Sequence, residues 1–201
     1  MENPLRTAEH IARINKRRSD LQNKIADLVP ATAKVVCEFG CGHGHFLAAY
    51  AAAHPNQLCV GLDISAERIA RAVRKRDRAK LANLHFIHAE AGDFLDALPP
   101  KVTFSDIYIL FPDPWPKRRH HKNRLLQPDF LHAVAGRAGK GARLCFRTDF
   151  EPYFREAEAL FDRHPNWKHS AEAWPFEHVT VFQSRAAQHY SAVARVRSPR
   201  P

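Results

Sequence analysis

Apolar and polar positions follow two different rhythms along this chain. In the first 30 residues Ile11, Ile14, Leu21, Ile25 and Leu28 recur at spacings of three, four or seven, which puts them on one helical face. Ser19 followed by Gln22 has the spacing of a capping box, so the stretch is expected to form two short helices broken near Lys16, Arg17 and Arg18. From Ala33 on, short apolar runs alternate with helical patterns, the signature of parallel βαβ units. Strands are predicted over 34–39, 58–63, 84–88, 105–111 and 142–148, and helices over 45–53, 66–79, 92–98, 128–138 and 151–163. The last stretch, 167–196, loses the long helical patterns. Its Val179, Val181, Tyr190, Ala192, Ala194 and Val196 give a partial period of two and predict two strands forming a hairpin at one sheet edge. The expected fold is α/β, a Rossmann-like, doubly wound and mostly parallel sheet with a C-terminal antiparallel hairpin. Residues 1–30 then form a basic helical extension and 31–201 the sheet domain. Ligands belong beyond the carboxyl ends of the strands.

Charge narrows what such a site serves. The 31 Lys and Arg outnumber the 21 Asp and Glu, the net charge is +10, and the isoelectric point is near 9.8. Such a balance favours a polyanionic partner, because each cation placed on a phosphate releases condensed counterions. No run approaches the roughly 20 apolar residues that span a bilayer, and Met1 to Ala8 lack the apolar core of a secretory signal. A cytoplasmic protein with no membrane partner and no obligate protein partner is expected. Cys37, Cys41, Cys59 and Cys145 form no CxxC pair and read as reduced. Strand alternation and the intervening glycines keep Cys37, Cys41, His43 and His45 from converging tetrahedrally, so no metal is expected.

The first strand runs into Glu38-Phe39-Gly40-Cys41-Gly42-His43-Gly44, and a helix follows. Gly40, Gly42 and Gly44 let the backbone turn sharply and approach a ligand, and the helix N-terminus adds free amide donors. The second strand ends on Asp63, placed to accept from ribose hydroxyls, and Glu90 follows the third. The spacing is G-x-G-x-G, and acidic Glu38 stands where it would repel a dinucleotide pyrophosphate yet attract the ammonium of a methionine moiety. S-adenosylmethionine therefore fits better than a nicotinamide cofactor.

Directly after the fourth strand, Phe111-Pro112-Asp113-Pro114-Trp115-Pro116 carries three prolines, which remove backbone donors and fix φ. Such a rigid loop can hold Asp113 and Trp115 against a planar substrate. The basic and histidine cluster from Lys117 to Lys122 suits a phosphate backbone.

From about Val35 to Val196 the sequence resembles the bacterial tRNA (guanine-N7)-methyltransferases, most specifically over 111–124. The resemblance implies the class I methyltransferase fold, S-adenosylmethionine as cofactor and tRNA as partner, with a variable-loop guanine as target. It assigns cofactor contacts to Glu38, Gly40, Gly42, Gly44, Asp63, Glu90 and Asp113, catalysis to Asp113, and substrate contacts to Lys117, Asp149, Thr180 and Gln183. The family's C-terminal T-x-F-E pattern reads Thr180-Val181-Phe182-Gln183 here, an amide in place of the carboxylate. An amide pairs less well with the guanine N1 and N2 donors. Two alternatives stay open: methylation of another nucleobase position such as an exocyclic amine, and a noncatalytic RNA-binding relative.

Overall fold

The computed structural model describes residues 4–197, and side chains from Ala12 onward apart from those of residues 181 and 185. The chain forms α1 (Pro4–Leu28), β1 (Lys34–Phe39), α2 (His45–Ala53), β2 (Leu58–Asp63), α3 (Ala66–Arg78), β3 (Leu84–His88), α4 (Ala91–Ala97) and β4 (Thr103–Leu110). After a 3-10 helix (Arg118–Asn123) come α5 (Pro128–Ala135), β5 (Ala138–Thr148), α6 (Glu151–Arg163), β6 (Trp167–Ser170), α7 (Val181–Arg185) and β7 (Tyr190–Val196). The seven strands lie in the order β3-β2-β1-β4-β5-β7-β6. The first five run parallel, and β7 pairs antiparallel with both β5 and β6. The strand order reverses between β1 and β4, and that switch point fixes where a ligand can sit.

The parallel strands are covered on both faces. One face packs Ile25, Val29, Phe94, Leu131, Tyr153, Phe161 and Trp167 from α1, α4, α5, α6 and the start of β6. The other packs Phe46, Leu47, Tyr50, Ile69 and Ala72 from α2 and α3. Two-sided burial explains why β1, β2 and β4 read as near-continuous apolar runs rather than alternating ones.

Two expectations are corrected. The N-terminal helix is continuous from Pro4 to Leu28 and passes through Lys16, Arg17 and Arg18 without a break. Lysine and arginine are good helix formers, and no glycine or proline interrupts that run, so Ser19 sits inside the helix rather than capping a second one. Ile25 is fully buried while Ile14 is exposed, so only the C-terminal turns of the apolar stripe join the core. The side chain of Ile11 lies outside the described residues.

The second correction concerns the C-terminus. The expected antiparallel pair at the sheet edge is present as β6 and β7, but Val179 and Val181 belong to neither strand. Residues 171–189 form a strap between them, and Val179 is exposed in it while Val181 opens the short helix α7. Thr180 caps that helix, its Oγ1 accepting from Gln183 N at 3.2 Å. Phe176 packs its ring against Phe46 and Tyr50, with centroids 5.7 and 5.0 Å apart, and Trp174 lies 6.1 Å from Tyr108. These aromatic anchors hold the strap on the α2 face of the sheet, an arrangement that a period-two pattern does not encode.

Candidate active site

The turn after β1 is built on backbone conformation. Gly40, Gly42 and Gly44 all have positive φ, at 75°, 54° and 66°. At Gly44 a Cβ would also lie 2.4 Å from the Phe86 ring and 2.9 Å from the Ala72 methyl, so loop, α3 and β3 pack at a distance only glycine allows. Asp63 fastens the loop: its Oδ2 accepts from Gly42 N at 2.9 Å and its Oδ1 from Ser65 N at 2.8 Å. Lys75 of α3 donates to the His43 carbonyl at 3.0 Å from the other side.

Glu38 is 3% exposed, at the end of β1 beneath this loop. Burial pushes its carboxyl up to about 8; the Leu47 amide opposes that, Asp63 adds to it and Lys75 opposes it again. Its Oε2 is enclosed and has no hydrogen-bond partner among the described residues. A buried carboxyl oxygen without a partner is costly, so Oε2 is a position that a donor from outside the chain could complete. A Cβ built at Gly40 or Gly42 meets no atom within 4 Å, which leaves the rim of the loop open to a ligand. Both features fit the methionine end of S-adenosylmethionine. Glu90 is exposed at the N-terminus of α4, and its side chain caps nothing there.

Asp113 is exposed in the loop after β4, next to β1 in the sheet. Of the three non-glycine residues with positive φ among the described residues, Phe111 (49°) and Trp115 (42°) flank it on either side. Each such conformation costs on the order of 1–3 kcal/mol and persists only where the surroundings impose it. Here the constraint comes from Arg124, whose side chain is fully buried. Its Nε donates to the Pro114 carbonyl at 2.8 Å and its Nη2 to that of Trp115 at 3.5 Å. Nη1 pairs with Glu156 of α6, and the guanidinium lies 4.6 Å from the Tyr153 ring centroid. Lys117 is exposed at the head of the 3-10 helix, which carries Arg118, Arg119, His120, His121 and Lys122 beside the loop.

A third cluster closes the far side. Arg147, at the end of β5, is 4% exposed and forks onto Glu177 at 2.6 and 2.9 Å. It also donates to Ser191 Oγ at 2.8 Å and to Gln183 Oε1 at 3.3 Å, and stacks 4.1 Å from the Trp174 ring. The Arg147 pair, and a further hydrogen bond from Gln183, hold the Glu177 carboxyl below its usual range. The Arg147 carbonyl accepts from Phe111 N at 2.7 Å, so this cluster is tied to the Asp113 loop. Gln183 thus has its amide oxygen turned to Arg147, Thr180 Oγ1 serves as a cap, and Asp149 is exposed one residue past β5.

The fold therefore gathers Glu38, the three glycines, Asp63 and Glu90 at the ends of β1 to β3, and Asp113, Lys117 and Asp149 beyond β4 and β5. Sequence reasoning missed five participants. Lys75, Arg124, Arg147 and Glu177 act on backbone carbonyls or on each other across 30 or more residues in most cases, a separation no local motif reveals. Ile64 is the fifth: it follows Asp63 directly and is 72% exposed, an apolar side chain left bare beside the loop. Its position after a strand-end acid was the available signal. Cys37 and Cys41 lie in different core clusters, so they do not face one ion, and burial pushes both thiols up.

Comparison with known proteins places this geometry. A family described as "Putative methyltransferase" matches residues 32–194. Among curated relatives, the tRNA (guanine-N(7)-)-methyltransferase of Caulobacter vibrioides is 34% identical over 160 residues, 77% of this chain and 70% of that protein. Those of Thermus thermophilus and Chromohalobacter salexigens are 37% and 32% identical, over 67% and 76% of this chain. The chain spans only 43% and 65% of the length of these two relatives. Among solved structures, the 16S rRNA methyltransferase KamB superposes with a TM-score of 0.61 at 17% identity, covering 87% of this chain and 93% of that one. A 16S rRNA (adenine(1408)-N(1))-methyltransferase from Catenulisporales acidiphilia, solved with S-adenosylmethionine, gives 0.58 at 18% identity, covering 92% of each. These likenesses establish the class I methyltransferase fold that the family resemblance implied. With its seven-stranded sheet, its glycine loop and its matches at 32–37% identity, the chain belongs to the family of bacterial tRNA (guanine-N7)-methyltransferases.

Proposed function

We propose that the chain transfers a methyl group from S-adenosylmethionine to N7 of a guanine in tRNA, the variable-loop guanine 46 by family resemblance. The observation that carries this is the buried Glu38, whose unpartnered oxygen lies beneath an open glycine loop one strand away from the Asp113 loop. Glu38 receives the cofactor's ammonium, the amides of the glycine loop approach its methionine moiety, and the spare lone pairs of Asp63 accept from ribose hydroxyls. Ile64 offers the adenine an apolar surface. Glu90 contributes from the end of β3. When bound, the cofactor supplies an electrophilic methyl on a sulfonium.

The N7 lone pair of neutral guanine carries no proton, so no side chain has to remove one. Asp113 instead orients the purine and stabilises the positive charge that develops on it. Proximity is the larger contribution, and the Arg124 clamp fixes the loop that provides it. Lys117 and Asp149 hold the substrate, and Thr180 and Gln183 close the corner around it. Since Gln183 is an amide, the donor edge of the base meets fewer acceptors there than a carboxylate would offer.

The test is incubation of the purified chain with methyl-labelled S-adenosylmethionine and unmodified tRNA, followed by digestion and identification of the labelled nucleoside. Labelled 7-methylguanosine is expected. Another methylated nucleoside would move the target to an exocyclic or ring position of a different base, and no label with tRNA binding retained would make the chain a binding relative.

A further inference from the structure

The family assignment accounts for the carboxyl ends of the strands and leaves one strongly charged surface without a role. Residues 66–80, which form α3 and its C-terminal turn, carry seven basic side chains against two acidic ones and so hold half of the chain's net charge of +10. Solubility alone does not produce this distribution. The surface helix α6 has the same 13-residue length and carries four acidic and two basic side chains, whereas α3 itself carries two and six. A net positive charge is therefore carried by one helix, and its counterpart on the opposite face of the sheet is net negative.

The packing of α3 explains which of these cations are free to meet a partner. Ile69 and Ala72 are buried against the sheet, and Lys75 is turned inward to the glycine loop. Arg71, Arg74 and Arg78 follow at spacings of three and four, which sets them on one face, and all three are exposed. Arg71 reaches Glu67 in an exposed pair that is easily exchanged for another anion. Among the described residues no ion pair joins Arg74 or Arg78. The helix begins three residues after Asp63, so this face leads away from the mouth of the cofactor site on the β3 side. The Lys117 to Lys122 cluster leaves the same mouth on the β4 side. Three strand spacings of roughly 4.8 Å separate β3 from β4, about 14 Å, which a folded RNA spans easily.

We infer that the Arg71, Arg74 and Arg78 face of α3 is a second docking surface for the sugar–phosphate backbone of tRNA, engaged while the target base lies at the Asp113 loop. This rests on the tRNA reading above for its partner but not on the position methylated. Contacts of this kind act without sequence preference and through counterion release, each phosphate lowering the slope of log affinity against log salt by about 0.7–0.9.

The experiment measures binding of the full chain to an unmodified tRNA transcript across a series of KCl concentrations. R71E/R74E/R78E is compared with K101E/K140E/K168E, which makes the same charge change on exposed lysines at 101, 140 and 168. The α3 variant should bind at least about tenfold more weakly near 0.1 M salt and lose roughly 2–3 from the slope, while the control keeps nearly all of it. S-adenosylmethionine affinity should stay within about twofold in both, which reports an intact fold; the milder R74A/R78A should lose about 1–2 from the slope. An unchanged slope in the α3 variants, or equal losses in variant and control, overturns the surface. Absence of tRNA binding by the unaltered chain overturns both the surface and the tRNA reading. Binding with the predicted slopes but no methylated nucleoside supports the surface and removes the methyltransferase activity alone.

Discussion

The two halves of the candidate site are held by different kinds of interaction. From β1 to β3 the geometry is local: three positive-φ glycines, one strand-end acid and the amides it accepts from, all between Gly40 and Ser65. From β4 onward it is long-range: Arg124 and Arg147, both buried, pair with Glu156 and Glu177, 30 or more residues away. The first half is specified by which backbone conformations its residues can adopt. The second is specified by where two buried guanidinium groups find acceptors, and it tolerates change only if those acceptors remain.

The sharpest test of this division is the residue the second half presents. Asp113→Ala should lower the single-turnover methyl-transfer rate by about 10²–10³-fold, the range seen when one preorganised electrostatic group is removed from a reacting centre. Affinity for tRNA should change by less than about threefold, because the basic surfaces are untouched. Equal losses of rate and affinity, read by quench and by filter binding, would show that Asp113 holds RNA and does not act on the charge that develops at N7.

Next in size is the clamp. Arg124→Ala strands Glu156 and leaves the Pro114 and Trp115 carbonyls without their donor. Removing one member of a buried pair costs about 3–5 kcal/mol; since Glu156 is 40% exposed, the lower end is expected in urea denaturation. Arg124→Lys keeps the charge without the fork and should recover only part of it. The loop-and-strap half should then fail first, with methyl transfer lost at urea concentrations where S-adenosylmethionine still binds. Coincident loss of both would mean that the halves are one cooperative unit.

The glycine half breaks through sterics instead. Gly44→Ala places a Cβ 2.4 Å from the Phe86 ring at a φ of 66°, a combined penalty of roughly 2–4 kcal/mol from strain and overpacking. Cofactor affinity should fall with stability, while tRNA affinity, measured below the melting point, should hold. A matching loss of tRNA affinity would argue that the loop shapes both surfaces.

The same division explains what was legible in the sequence. Strands β1 to β3 and the helices between them fall at the residues the apolar rhythm indicates, and the places of Glu38 in β1, Gly44 in the turn after it and Asp63 at the end of β2 follow from that rhythm. The continuous α1 was misread since a possible cap at Ser19 was given more weight than the helix-forming run around it. The strap was misread because Val179 and Val181 mimic a strand, whereas Thr180 and the docking of Phe176 decide its path. Arg124 lies just past the Lys117 to Lys122 cluster and carries no signal of its own in the sequence. Its buried environment comes from Tyr153 and Glu156 on α6, which no local pattern announces.

The smallest effect comes from Glu38→Gln, and it has opposite signs for stability and binding. The carboxyl has an ordinary value of 4.5 and is raised by burial to about 8 in the folded chain. Between those pH values the folded state keeps a proton that the unfolded state has released, so stability is full below about 4.5 and declines as pH rises toward 8. Gln cannot ionise, so the variant should hold its melting temperature over that window while the unaltered chain loses stability. Binding behaves in reverse. A cation arriving at Oε2 favours the ionised carboxylate, so at pH 7 the unaltered chain should expel close to one proton on taking up S-adenosylmethionine, and the variant none. Calorimetry in two buffers of different ionisation enthalpy reads that difference directly. The variant should also bind about tenfold more weakly, about 1.4 kcal/mol, at the lower end of what a charged hydrogen bond contributes. Equal proton release by both proteins would place the cofactor's ammonium away from Glu38, and the local half of the site would then owe its cofactor affinity to the glycine amides and Asp63.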